Sequence, residues 1–192
     1  MDPYYKQTIE YDLRGQKFTF VTANTLFSTV EIDMGTNILI RNITLNSPRT
    51  ILDLGCGYGP IGIILKSKSP ESQVIMLDKD LLALKYTDLN AQKNNVEVTT
   101  SPSIGLEAIG DKKFDLIVSN IPAKIGDLAI EKEFVEAPFA HLNPQGEYWF
   151  VIMSSLNRII PIIAKKHHLP LTEIRRRKGH IVYKMINKTL PV

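Results

Sequence analysis

The densest chemistry in the chain is the run Asp53-Leu54-Gly55-Cys56-Gly57-Tyr58-Gly59-Pro60-Ile61-Gly62. Gly57, Gly59 and Gly62 satisfy G-x-G-x-x-G, and Asp78 follows about 20 residues on, where a ribose-binding acid belongs. The spacing raises a nicotinamide dehydrogenase. Asp53 opposes it, because a carboxylate at the mouth of the turn would repel a dinucleotide pyrophosphate. The same carboxylate suits a ligand carrying an ammonium or sulfonium, such as S-adenosylmethionine. The glycines let the backbone approach such a ligand with no Cβ in the way, and Asp78 can accept both ribose hydroxyls. The alternative is a plain strand-to-helix turn with Asp53 as a strand cap. Asp80 likewise reads as the cap of a helix beginning at Leu81.

A second loop, Ser119-Asn120-Ile121-Pro122-Ala123-Lys124-Ile125-Gly126, follows the apolar run Phe114–Val118. Asn120 stands at the exit of that run, where sheet ligands bind. As an Asn-x-Pro residue it also has a turn reading. Asp115, at the start of the run, reads as structural. Farther on, Lys165, Lys166, His167 and His168 are followed by Arg175, Arg176, Arg177 and Lys178. Two readings of these basic residues stand: a solvated face or a surface that tracks phosphates. The net charge of +3 is too small to decide between them.

The elements that must position these loops alternate along the chain. Residues 8–23 alternate apolar and polar, with a hairpin turn at Arg14-Gly15, and a helix-like stretch follows near Met34–Thr44. Strands are predicted at 50–55, 73–78, 96–101 (weak), 114–120 and 147–153. Helices are predicted at 60–69, with Pro60 at its first position, and at 81–94, 127–142 and 155–167, the last with an internal Pro161. Pro144-Gln145-Gly146 reads as a turn, and residues 171–186 close as a hairpin turning near Lys178-Gly179. This is an α/β pattern, a mostly parallel sheet with helices on both faces and one antiparallel strand from the C-terminal hairpin. With 192 residues, 44% of them hydrophobic, the chain suits a single soluble domain: an N-terminal hairpin and helix over 1–47 and a core over 48–192. No apolar run reaches the roughly 18 residues of a membrane span, and the N-terminus lacks a signal-peptide pattern, so a cytoplasmic protein with no membrane partner is expected. Cys56 is the lone cysteine and the histidines lack zinc-ligand spacing, so neither a disulfide nor a metal is expected.

The stretches "ILDLGCGYGPIGI", "VIMLDKDLLAL" and "FDLIVSNIPAKIG" resemble the class I S-adenosylmethionine-dependent methyltransferases, whose fold is Rossmann-like. More narrowly, the lead-in "FTFVTANTLFSTVEIDMGTNIL", with its T-x-x-x-x-F-S before D-x-G-x-x-x-L, is similar to the "methyltransferase small" group. That group includes small-subunit ribosomal RNA guanine-N2 methyltransferases. The likeness covers about residues 18–186. It implies that Asp53, Gly55, Gly57 and Gly59, with Cys56, cradle the methionine part of S-adenosyl-L-methionine. It implies that Asp78, with Lys79, holds the ribose, and that Asn120 faces both cofactor and methyl acceptor. Where the group often carries an acid for the adenine amine, this chain has Ser103 and Ile104, which leaves adenine to Ser103 or to backbone groups. The group's motif is Asn-Pro-Pro-aromatic. Its Asn oxygen and the next backbone carbonyl accept the two hydrogens of an exocyclic amine and aim the lone pair at the methyl group. Asn120, Ile121 and Pro122 are thus the expected catalytic residues. Ile121 supplies the same carbonyl and Pro122 keeps Ile121 extended, but the loop lacks a first proline and is expected to be less rigid. Ala123 removes a stacking surface worth about 1–3 kcal/mol per base. Phe27 or Phe139 could replace it, although Phe27 also reads as core. Lys124 could contact a substrate phosphate or carboxylate, or be solvated.

The favoured activity is methylation of an exocyclic amine in RNA, guanine in ribosomal RNA first. A small-molecule or protein-amide methyltransferase, and a cofactor-binding module without turnover, are the alternatives. Oligomeric state is open.

Overall fold

The computed structural model describes residues 2–190. Five strands lie parallel: β3 (Thr50–Leu54), β4 (Gln73–Asp78), β5 (Thr99–Pro102), β6 (Phe114–Asn120) and β7 (Leu142–Met153). With β8 (Thr172–Arg177) and β9 (His180–Ile186) they form one sheet in the order β5-β4-β3-β6-β7-β9-β8. β9 runs antiparallel to both neighbours, as the sequence implied. The order reverses between β3 and β6, and ligands bind beyond the carboxyl ends of strands at such a switch point. The glycine loop leaves β3 and the Asn120 loop leaves β6, so the two chemical loops are neighbours.

Strand side chains alternate between faces, and each face has its own core. Ile51, Leu116, Val118, Val151 and Val182 pack with helices α1 (Met34–Asn42), α2 (Pro60–Lys68) and α3 (Leu81–Lys93). Leu52, Ile117, Phe150, Ile152 and Ile181 pack with the helical segment 127–140 and with the last helix, Ile159–Lys166. The N-terminal hairpin, β1 (Tyr5–Leu13) and β2 (Gln16–Ala23), joins the first core through Phe18 and Phe20. Two asparagines one turn apart, Asn90 on α3 and Asn94 at its C-cap, act as a substitute strand for β2. Asn90 Oδ1 accepts from Val21 N–H (2.7 Å) while its Nδ2 donates to Val21 O (3.0 Å). Asn94 does the same for Thr19 (3.0 and 2.8 Å). Buried backbone groups require partners, and these side chains supply them where no strand lies alongside.

Three expectations change. The weak strand is confined to Thr99–Pro102. Pro144-Gln145-Gly146 is an irregularity inside β7, where Gln145 adopts φ 63° and the register to β6 shifts. The helix predicted from 155 opens as a 3-10 turn, Ser154–Arg158, so Pro161 falls in the first turn of Ile159–Lys166. A missing N–H breaks no bond in that first turn. Both hairpin turns match their residues: Arg14-Gly15 (φ 57° and 90°) and Lys178-Gly179 (φ 47° and 75°) take the paired positive φ of tight two-residue turns.

Candidate active site

The glycine loop is tied to the end of β4. Gly55 and Cys56 N–H groups both donate to Leu77 O (2.8 and 3.0 Å), and Gly57 N–H donates to Asp78 Oδ2 (2.8 Å). Thr87 Oγ1 donates to Gly57 O (2.8 Å). A Cβ on Gly57 (φ +59°) would meet nothing within 4 Å, which is the open space an approaching ligand needs. Gly59 is a glycine for another reason: its Cβ would stand 2.8 Å from Ile63 Cδ1, so this position serves packing. Cys56 is also turned inward. Its thiol is buried, its N–H is held by Leu77, and its carbonyl accepts from Gly59 N–H (3.0 Å). Burial and the nearby Asp53 and Asp78 charges push the thiol well above its ordinary range. Cys56 therefore closes the turn and offers the cofactor no free group.

Asp53 is wholly buried and not at an exposed mouth. Its Oδ2 accepts from Gly62 N–H (2.8 Å), while Oδ1 has no partner among the described residues. Burial, reinforced by Asp78, raises its pKa to about 7. A buried carboxyl with one unmatched oxygen keeps polar capacity that a hydrogen-bond donor or a nearby positive charge would satisfy. Asp78 accepts Gly57 N–H on one oxygen and Asp80 N–H (2.9 Å) on the other. A carboxylate has about four acceptor sites, so each Asp78 oxygen keeps one for a vicinal ribose hydroxyl.

Beyond β4 and β5 lies an open depression of about 420 Å³ lined by Lys79, Pro102, Ser103, Ile104, Glu107 and Ala108. The Ser103 hydroxyl is already engaged: it accepts from Ala108 N–H (3.1 Å) and donates to Gly105 O (3.0 Å). It shapes the turn and is not a free reader of adenine. Ile104 is exposed and offers an apolar edge. Glu107, on the 3-10 turn Glu107–Ile109, brings a carboxylate to the lining of the depression, where the sequence offers no acid at Ser103. A search limited to the strand end passes over it. Gly57's open space, Asp53's unmatched oxygen, Asp78's spare acceptors and this depression together fit S-adenosylmethionine. Asp78 would hold its ribose, the depression its adenine, and the glycine loop its cationic methionine end.

At the end of β6, Asn120 Nδ2 donates to Asp33 Oδ2 (2.8 Å) and to Thr36 Oγ1 (3.0 Å). Asp33 is the N-cap of α1, and the same Oδ2 accepts Thr36 N–H (3.0 Å). A carboxylate only accepts, so the Asn120 nitrogen must face it and Oδ1 is turned the other way. No described group donates to that oxygen. Gly35 permits this corner: a Cβ there would stand 2.9 Å from both Asp33 Oδ2 and His180 Cδ2. Asp33, Thr36 and His180 were not legible as site residues, although the D-x-G spacing contains the first.

Ile121 departs from the expected looseness. Its N–H donates to Val151 O (3.0 Å), which no proline could do, and its side chain is 2% exposed within the second core. No described group donates to its carbonyl. Pro122 and Lys124 are exposed, and Ala123 is partly buried. Phe27 is 71% exposed, so it is not core. Its segment is held near the glycine loop by Tyr58 Oη, which donates to Ser28 O (3.2 Å). Phe139 lies at the wrong end of the sheet, just before Leu142, the residue paired with the first residue of β6. It cannot serve as a base platform. Asp115 is structural as expected, accepting from Arg49 N–H, Thr50 N–H and Asn143 Nδ2 (2.8, 3.0 and 2.8 Å).

One histidine, His167, does meet carboxylates, which spacing did not suggest. Ligand atoms of Glu131, Glu136 and His167 lie within 4.8 Å of one another. Lys166 Nζ, 2.7 Å from the Glu131 oxygen that His167 Nε2 also reaches (2.6 Å), already supplies the positive charge there. Among the described residues no helix is long and apolar enough to cross a membrane.

Comparison with known proteins agrees with this geometry. A profile of the methyltransferase small domain matches residues 17–184. The chain is 31% identical over 187 residues to the uncharacterized protein YbxB of Bacillus subtilis (strain 168), covering 93% of this chain and 90% of that protein. It is 34% identical over 135 residues to ribosomal RNA small subunit methyltransferase C of Haemophilus influenzae (strain PittGG), covering 69% of this chain and 41% of that one. The chain thus spans less than half the length of that relative. Among solved structures, the T. thermophilus 16S rRNA N2 G1207 methyltransferase (RsmC) in complex with AdoMet and guanosine superposes with a TM-score of 0.80 at 20% identity, over 96% of this chain and 51% of that one. This last likeness shows the fold. The match over most of its length places the chain in the methyltransferase small family, a family of S-adenosylmethionine-dependent methyltransferases.

Proposed function

We propose that the chain methylates the exocyclic amine of a base in ribosomal RNA, with guanine N2 the favoured target. One observation carries this reading: Asp33 and Thr36 hold the Asn120 amide with its oxygen free, next to the unengaged Ile121 carbonyl. Two fixed acceptors match the two hydrogens of a primary amine. An aromatic exocyclic amine is a weak nucleophile because its lone pair is delocalised into the ring. Accepting both hydrogens fixes the nitrogen and turns the lone pair toward the cofactor side, where positioning supplies much of the rate. S-adenosylmethionine, when bound, supplies an electrophilic methyl carbon on a sulfonium. The nitrogen becomes strongly acidic as its new bond forms, so its proton passes to water without a dedicated base. Asp53, buried with an unmatched oxygen, favours a cation near the glycine loop. Exposed Phe27 on the lead-in is the candidate stacking surface in place of Ala123.

The N2 G1207 specificity of the structural neighbour and the name of the H. influenzae relative support ribosomal RNA as the substrate class. The test is transfer of radiolabelled methyl groups from S-adenosylmethionine to fractionated RNA, followed by nucleoside identification. The expected result is N2-methylguanosine in small-subunit ribosomal RNA. Label confined to metabolites or protein, with none in RNA, would overturn it in favour of a small-molecule or side-chain-amide acceptor, the reading that Ala123 favours.

A further inference from the structure

Two basic clusters close together in the sequence differ in the fold. Lys166 and His167 are paired with Glu131 at 2.7 and 2.6 Å. Of the second cluster, Arg176 is held by Glu173 (2.7 Å) and Asn157 (3.3 Å). Among the described residues, no carboxylate pairs with Arg175, Arg177 or Lys178, and all three are exposed.

Register places these unpaired cations on the catalytic edge. Asn120 pairs with Val151 of β7, and Val151 pairs with Val182 of β9. Two residues back along β9, His180 faces Met153, and Ser154 N–H donates to Gly179 O (2.8 Å) at the β8–β9 turn. At about 4.8 Å between strands and about 3.4 Å per residue, the turn is roughly 10–20 Å from Asn120, beyond the carboxyl ends of the parallel strands. Arg175 and Arg177 oppose Val182 and His180 across β8–β9, so they share the α1 face. His180 on that face abuts Gly35, next to Asp33, which holds Asn120. The half-exposed Met153 lies between the turn and the catalytic loop.

We infer that the β8–β9 turn, through Arg175, Arg177 and Lys178, binds the phosphates of the single-stranded RNA flanking the target base. This rests on the RNA reading above. At that distance the patch contacts phosphates of the nucleotides flanking the base held at Asn120, as basic grooves beside single strands do. A chain that must present one unstacked base needs its flanking backbone held, and exposed cations at that distance do this without reading sequence.

The test compares Arg175→Gln/Arg177→Gln/Lys178→Gln with Lys166→Gln, measuring methyl transfer to small-subunit ribosomal RNA across a KCl series. Cofactor affinity is measured by calorimetry and folding by thermal melting. In the triple variant KM for RNA is expected to rise about tenfold, and the slope of log kcat/KM against log[KCl] to flatten by about 2. Cofactor affinity and melting temperature should stay at wild-type values, and Lys166→Gln should behave as wild type. A triple variant with wild-type KM and salt slope on RNA overturns the surface while leaving the RNA reading intact. A wild-type protein that binds cofactor yet labels no RNA overturns both.

Discussion

The glycine loop after β3 and the Asn-Ile-Pro loop after β6 end neighbouring strands, yet they are held in place by different parts of the chain. The first is fixed by elements close in sequence: Leu77 O and Asp78 of β4 and Thr87 of α3 hold its backbone, and Asp53 reaches Gly62. The second takes its orientation from the N-cap of α1, across 84 and 87 residues of sequence. A loop that only binds can be organised locally. A loop proposed to aim one oxygen rests on a remote acceptor that forbids the flipped amide.

The sharpest way to separate the two loops is Asn120→Ala. Loss of one preorganised hydrogen-bonding group in a catalytic site costs about 10²–10³-fold in rate, and the glycine loop is untouched. Single-turnover methyl transfer should fall by that factor while calorimetry shows unchanged S-adenosylmethionine affinity. The converse variant, Asp78→Ala, removes the proposed ribose acceptor and the partner of Gly57 N–H. A hydrogen bond to a charged group contributes about 1.5–3 kcal/mol, so cofactor affinity should weaken by about 10- to 100-fold with kcat at saturation nearly kept. Equal losses in both parameters for either variant would erase the division of labour.

Asp33 tests whether the remote support matters. Asp33→Ser keeps a good helix cap but is too short to reach Asn120, and kcat should fall about tenfold with cofactor affinity and melting temperature unchanged. In Asp33→Asn the side-chain oxygen can still accept from both Thr36 N–H and Asn120, so most activity should return. Failure of Asn to outperform Ser would remove Asp33 from the mechanism.

These two loops also explain how much the sequence could disclose. That the glycine run and Asp78 meet was readable because they end neighbouring strands of one strand-helix-strand unit, whose period the apolar residues display. The sheet order follows from the same alternation. Asn120 was readable by position, but its orientation was not, because Asp33 and Thr36 reach it only through tertiary packing. Phe139 was misplaced because a helical pattern does not say which end of the sheet an aromatic will meet. Ile121 was expected to loosen its loop because proline's fixed φ is visible in a sequence, whereas an N–H to Val151 O is not. The substitution Ile121→Pro sharpens that point. It breaks the bond to Val151 and removes a buried side chain, so it should destabilise the fold by about 2 kcal/mol or more. For a chain of this size the melting temperature should drop by roughly 5 °C.

The smallest expected effect concerns Asp53, the buried carboxylate beneath the glycine loop. Its pKa is raised to about 7 in the fold by burial, above the ordinary carboxylate value of about 3.9. A raised folded pKa means the native state binds the extra proton, so the stability Asp53 contributes is fully present below about pH 4 and is lost as pH rises through about 7. Cofactor binding should show the opposite trend. Only the ionised form attracts an ammonium or sulfonium, so affinity for S-adenosylmethionine should increase a few-fold from about pH 6 to pH 8 as Asp53 loses its proton. Asp53→Asn keeps an acceptor for Gly62 N–H and removes the titration, so it should flatten both profiles. Calorimetric titrations and thermal melts across that range give the two slopes. If the affinity slope survives in Asp53→Asn, it belongs to another group, and Asp53 serves the turn alone, like Cys56 and Gly59 beside it.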